Sequence, residues 1–125
     1  MAFTFALLVL NPEIYAKVQR EVDMVLGTGS MTPDHVAQLP YIRACLKESL
    51  RLFPPAPGFS LSPEGDQPTV VGGRWLFQPD DCCVILLDGL HRDPEIYGED
   101  ANEFRPERML DENFNKLPPH CYKVR

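Results

Sequence analysis

The sequence has 125 residues, 44% apolar and 24% charged, ordinary values for one small globular domain. Its net charge of −6 and scattered basic residues exclude a general nucleic-acid binder, because phosphate contacts need clustered Lys and Arg. The four cysteines, Cys45, Cys82, Cys83 and Cys121, include no CxxC pair, no zinc spacing and no disulfide framework, so a reducing compartment and a cytoplasmic location are expected.

Residues 1–10 are apolar but too few for a transmembrane helix, which needs about 20. No basic region or cleavage site marks a secretory signal. The segment is expected to be the end of a buried helix whose earlier part is missing. Asn11 is a candidate N-cap and Pro12 a first helical position. Ile14, Val18, Val22, Val25 and Leu26 then repeat at helical spacing up to Gly27 and Gly29. Thr32 is placed to cap a short helix that Leu39-Pro40 breaks. A longer helix is expected over residues 41–53, with Ile42, Leu46, Leu50 and Phe53 as its apolar face, ended by Pro54-Pro55.

The period then falls to two. Short strands are expected at Gly58–Leu61, Thr69–Val71 and Trp75–Phe77, with a hairpin turn at Gly72-Gly73. The apolar run at residues 82–87 suits a buried strand. Residues 88–97 suggest a short helix, with Asp93-Pro94-Glu95 as a further cap and start. Little regular structure is expected from Gly98 onward. Helices followed by short strands and coil make an α+β pattern.

Glu48 and Arg51 lie three apart and so share one helix face. An exposed pair of this kind is worth only a few tenths of a kcal/mol. The proline-anchored run Phe104-Arg105-Pro106-Glu107-Arg108 is placed to reach back to a buried carboxylate, which a guanidinium satisfies bidentately. Glu48 held between two guanidinia forms a satisfied network, whereas a lone buried charge is costly. His91 has no second His or carboxylate at metal-ligand spacing, and His35 and His120 are equally isolated, so no metal site is expected.

ExxR in a helix ending at proline, short strands, LHRDPEIYG and FRPER, in that order, resemble the C-terminal half of a cytochrome P-450, a haem-thiolate monooxygenase. The resemblance runs from about residue 3 to about residue 122. The wording SLRLFPPAPGFSL, VVGG, LHRDPEIYG, EFRPER and NKLPPH is closest to soluble fatty-acid hydroxylases fused to a flavin reductase.

The resemblance implies the end of the family's I helix, its J, J′ and K helices, short sheets, a K′ helix and a meander. It implies a structural triad of Glu48, Arg51 and Arg108 that holds the meander to the core, and no catalytic residue in this chain. Met109 stands where the family has Phe, a gap that Met fills loosely. Ala56, Pro57 and Gly58 are implied to line the substrate pocket, with Pro55 and Phe59 near the haem. The implied cofactor is haem, with FAD, FMN and NADPH acting through a reductase. The implied partners are that reductase domain and a hydrophobic substrate, with no nucleic acid.

The family's oxygen-handling motif falls before the start of this sequence. Its cysteine loop, Phe-x-x-Gly-x-Arg-x-Cys-x-Gly, follows a Pro-Pro-His-like run and is expected just where the sequence stops. Cys121 has no surrounding glycines and makes a poor substitute. Residues 1–125 are therefore expected to be a partial domain, truncated at both ends and unable to ligate haem. Val124-Arg125 is expected to be read-through into an intron. Two alternatives accompany this: a non-catalytic truncated product or mis-predicted gene model, and a small acidic interaction domain. Expressed alone, the chain is expected to aggregate or lose order, with Glu48 and Arg51 solvated or incompletely satisfied.

Overall fold

The structure, a computed structural model, describes residues 1–118. Helix α1 is Ala2–Leu10 and α2 is Pro12–Leu26. Asn11 does not cap α2 as expected: its side-chain amide donates to the Leu7 carbonyl at 2.8 Å. That carbonyl is one of the orphan acceptors of the α1 C-terminus, within easy reach, and Pro12 starts α2 unaided. Gly27 closes α2 with φ of 53°, a left-handed turn that glycine makes freely. At the short α3, Pro33–Val36, the Thr32 amide donates to His35 Nδ1 at 3.1 Å.

Helix α4 spans Pro40–Leu52. Its first turn is capped from outside, since Glu21 of α2 accepts the amides of Tyr41 and Ile42 at 2.7 and 2.9 Å. The expected apolar face is not the buried one. Ala44, Cys45, Glu48, Ser49, Arg51 and Leu52 are buried, whereas Leu50 and Phe53 are exposed. The helix turns its polar stripe inward because that stripe has partners there. Ile42 and Leu46 instead line an apolar recess with Phe5, Leu8 and Val18.

Strands β1, Gly58–Leu61, and β4, Cys83–Leu86, pair antiparallel from Gly58↔Leu86 to Leu61↔Cys83. Strands β2, Thr69–Val71, and β3, Trp75–Phe77, form a hairpin between them in sequence. Gly72 and Gly73 both take positive φ in its turn, which excludes most side chains. The expectation of a buried strand at residues 82–87 is corrected: β4 alternates, and Val84 and Leu86 are exposed. A two-stranded sheet with no cover on one face cannot bury both sides.

Residues 88–97 form two short helices, α5, Leu87–His91, and α6, Pro94–Tyr97, the second capped by Asp93 accepting the Glu95 amide. The chain is also more regular beyond Gly98 than expected. A 3₁₀ turn spans Pro106–Met109 and helix α7 spans Asp111–Lys116. The sequence of α7, DENFNK, has a single apolar anchor, Phe114, and so no periodic pattern to detect.

Two small clusters flank α4. Leu8, Ile14 and Cys45 form one, and Ala44, Tyr97, Ala101, Met109 and Phe114 the other. Met109, which stands where the resemblance leads one to expect Phe, is thus buried. The expectation that α1 is buried holds only for Thr4 and Leu8, since Phe3, Phe5, Val9 and Leu10 are exposed. Thr4 and Ser49 hydroxyls meet at 2.7 Å across the α1–α4 contact. No helix among the described residues is long and apolar enough to cross a membrane.

Candidate functional site

Glu48 sits on the buried face of α4 with no exposed surface, and Arg51, one turn on, is 1% exposed. Neither is solvated or short of partners, contrary to expectation. Glu48 Oε1 accepts from Arg51 Nη2 at 2.8 Å, Arg108 Nε at 2.9 Å and the Arg105 amide at 3.2 Å, while Oε2 accepts from Arg51 Nε at 2.9 Å. The carboxylate is thereby saturated from its own helix and from the 3₁₀ turn, sixty residues away in sequence.

Arg51 uses the rest of its fork on backbone carbonyls. Nη1 donates to His91 and Ala101, and Nη2 to Glu103. Its guanidinium also lies over the Tyr97 ring, 4.7 Å from the centroid. Arg108 donates to the Tyr97 and Asp100 carbonyls at 2.8 and 3.0 Å. Two guanidinia on one carboxylate leave an excess positive charge, which Asp100 offsets by pairing with Arg108 at 3.2 Å and also with Arg105. Burial pushes the Asp100 carboxyl up, but the Arg108 hydrogen bond and the Arg108 and Arg105 charges outweigh it and hold it below the usual carboxylate range.

The LHRD segment closes the C-terminus of α4. His91 Nδ1 donates to the Arg51 carbonyl at 3.0 Å, and Arg92 Nη2 to the Leu52 carbonyl at 2.7 Å. These are carbonyls that a helix end leaves without internal partners. Burial lowers the His91 pKa, which suits a neutral ring in this place. No group of three metal-ligating side chains exists among the described residues.

Spacing placed Glu48 and Arg51 on one helix face, the family resemblance singled out Arg108, and the structure brings all three together. Neither pointed to Asp100, the Arg105 amide or the carbonyls of His91, Ala101 and Glu103. Backbone partners carry no residue-type signal. Ala56, Pro57 and Phe59 are exposed and lie apart from this network, as is Pro55, and Gly58 is half-buried. Gly58 also has a local reason to be glycine, since a Cβ there meets the Ile85 carbonyl oxygen at 2.4 Å.

The described cysteines are free. Cys45 is buried in the α1–α4 contact, and burial, then the charges of Glu107 and Glu21, pushes its thiol up to about 12. Because the thiolate is the reactive form, alkylation of the native chain is expected to modify exposed Cys82 rapidly and Cys45 only after unfolding. Peptide mapping after a timed iodoacetamide pulse measures this, and equal native rates at the two positions would contradict it. His120, Cys121 and Val124-Arg125 lie outside the described residues.

A family model described as Cytochrome P-450 matches residues 1–123. A self-sufficient cytochrome P-450 monooxygenase of Penicillium freii is 47% identical over 98% of this chain and 12% of its own length. A bifunctional cytochrome P-450/NADPH–P-450 reductase of Acremonium egyptiacum is 45% identical over the same shares. The chain thus spans about 12% of the length of the curated relatives it matches. A crystal structure of a cytochrome P-450 superposes on 97% of this chain and 28% of its own, with a TM-score of 0.85 and 37% identity. Matched along its sequence and in its fold, the chain belongs to the cytochrome P-450 family.

Proposed function

We propose that residues 1–125 form part of the haem domain of a monooxygenase that hydroxylates a hydrophobic substrate, a fatty acid, with dioxygen and electrons from NADPH. In this reading the electrons come through a reductase that carries FAD and FMN; the Acremonium egyptiacum relative is itself a bifunctional cytochrome P-450/NADPH–P-450 reductase. The observation that carries this reading is Glu48 held between Arg51 and Arg108 in a chain matched by the family over 1–123. In this reading the network is a brace. It fastens the Pro106–Met109 turn and the meander to α4 and so supports the haem-binding loop. Ala56, Pro57 and Gly58 line the substrate pocket, where small side chains leave room for an acyl chain, and Pro55 and Phe59 stand beside the haem.

Haem in this family works through a cysteine thiolate, which supplies electron density for O–O cleavage. The described cysteines do not fit that role. Cys45 is buried among side chains and kept protonated, and Cys82 and Cys83 stand at the start of a two-stranded sheet. The described residues therefore brace and line rather than make bonds, and none of them ligates the iron.

Two linked measurements test this. Haem added to the purified chain, then reduced and exposed to carbon monoxide, is expected to give no Soret band of the thiolate-ligated type. A chimera of the Penicillium freii relative, carrying residues 1–118 of this chain in place of its own segment, is expected to give that band and to hydroxylate a fatty acid. A thiolate-type band from the chain alone refutes the non-ligating part, and a folded chimera without the band refutes the brace.

A further inference from the structure

Arg108 and its neighbour Glu107 leave the 3₁₀ turn in different directions, and both return to α4. Arg108 meets Glu48. Glu107 Oε1 accepts the Tyr41 hydroxyl at 2.8 Å and Lys17 Nζ at 2.5 Å. Tyr41 and Glu48 are seven residues apart, two helical turns, and so share a face about 10 Å long. The turn lies along that face with one grip at each end. The backbone at Tyr41 is itself fixed, because Glu21 accepts its amide. Glu21 lies one turn beyond Lys17 on α2, so α2 holds both the turn and the start of α4. The contacts close a ring: α2 to the α4 N-terminus, Tyr41 to Glu107, Arg108 to Glu48, and back along α4.

We propose that Glu107 is a positioning residue whose grip on Tyr41 and Lys17 sets the Pro106–Met109 turn so that Arg108 and the Arg105 amide meet Glu48. Its importance for a haem domain rests on the brace reading given above. The Lys17 pair is half exposed and contributes little by itself, whereas the Tyr41 bond is part-buried and made to an ionised carboxylate. The charged acceptor and burial together shift both groups. Burial, then the Glu107 hydrogen bond, raises the Tyr41 phenol far above its usual value. Burial pushes the Glu107 carboxyl up, but the Lys17 and Tyr41 hydrogen bonds and a backbone bond outweigh it and lower it overall.

Hydrogen exchange of the chain at low micromolar concentration reads the register directly, because the Arg105 amide is bonded to Glu48. Tyr41→Phe removes one hydroxyl and is expected to speed exchange across residues 103–109 by roughly ten-fold, the scale of one charge-assisted hydrogen bond. The β2–β3 hairpin should keep its wild-type rates. Glu107→Gln keeps an acceptor for the phenol and should recover most of the protection lost in Glu107→Ala. The double variant Tyr41→Phe/Glu107→Ala should exchange no faster over residues 103–109 than Glu107→Ala alone, since the two groups act as one unit. Wild-type rates over residues 103–109 in both Tyr41→Phe and Glu107→Ala would overturn the proposal. Should Glu107→Ala loosen the whole chain, Tyr41→Phe decides. No haem enters this measurement, so a failed chimera refutes the brace reading while leaving the exchange result to judge Glu107 separately.

Discussion

Glu48→Ala is expected to destabilise the chain by about 3–5 kcal/mol, the scale found when one partner of a buried ion pair is removed. Small domains are stable by only about 5–15 kcal/mol, so this loss takes up much of the total. The magnitude comes from what is left behind. Arg51 and Arg108 stay buried, with Asp100 as the remaining carboxylate in contact with either, and that one reaches Arg108. Four donated hydrogen bonds lose their acceptor at once, including that of the Arg105 amide. Glu48→Gln should be nearly as damaging. Its side-chain NH₂ must face either Arg51 Nε or the cluster of donors at Oε1, and donor meets donor in both orientations. Urea unfolding followed by far-ultraviolet circular dichroism measures both variants, read as a fall in midpoint with the slope unchanged. A loss under about 1 kcal/mol for Glu48→Ala would show that the network is worth no more than a surface pair.

That network also marks how far the sequence could be read. The Glu48–Arg51 spacing put a carboxylate and a guanidinium on one helix face, the proline-anchored run offered arginines able to reach a buried carboxylate, and the family resemblance singled out Arg108 among them. The α4 face was misjudged for a related reason. Hydrophobic periodicity assumes that the apolar stripe is the buried one. Here Glu48, Ser49 and Arg51 go inward because each finds partners there: Thr4 for Ser49, the 3₁₀ turn for Glu48, three carbonyls for Arg51. Ile42 and Leu46 are left beside an apolar recess against α1. Which stripe wins depends on elements far along the chain, and no local window contains them. The 3₁₀ turn and α7 were missed because prolines, arginines and a lone Phe114 carry no period, although long-range contacts fix both. The hairpin was legible to the residue, since two adjacent glycines state a backbone geometry that needs nothing distant.

Arg51→Lys separates charge from shape within the same network. The substitution keeps the positive charge beside Glu48, so a purely electrostatic account predicts little change. The geometry predicts a loss of about 2–5 kcal/mol. Arg51 donates to five acceptors: both Glu48 oxygens and the carbonyls of His91, Ala101 and Glu103. An ammonium has three donors on a point, which cannot fork between a carboxylate and carbonyls on the opposite side. At least two acceptors therefore lose a partner, at about 1–3 kcal/mol for each one left buried and unsatisfied. The planar contact with the Tyr97 ring is lost as well. Urea unfolding of Arg51→Lys beside Arg51→Ala gives the comparison, and the lysine variant should recover less than half of the alanine loss. Recovery of nearly all of it would mean that charge alone holds the site. Two of the carbonyls released belong to Ala101 and Glu103, just before the arginine loop, so hydrogen exchange should rise there first. Arg51 thus fastens the meander through its backbone while Arg108 fastens it through a side chain, and a lysine at position 51 can keep only the contact that the charge provides.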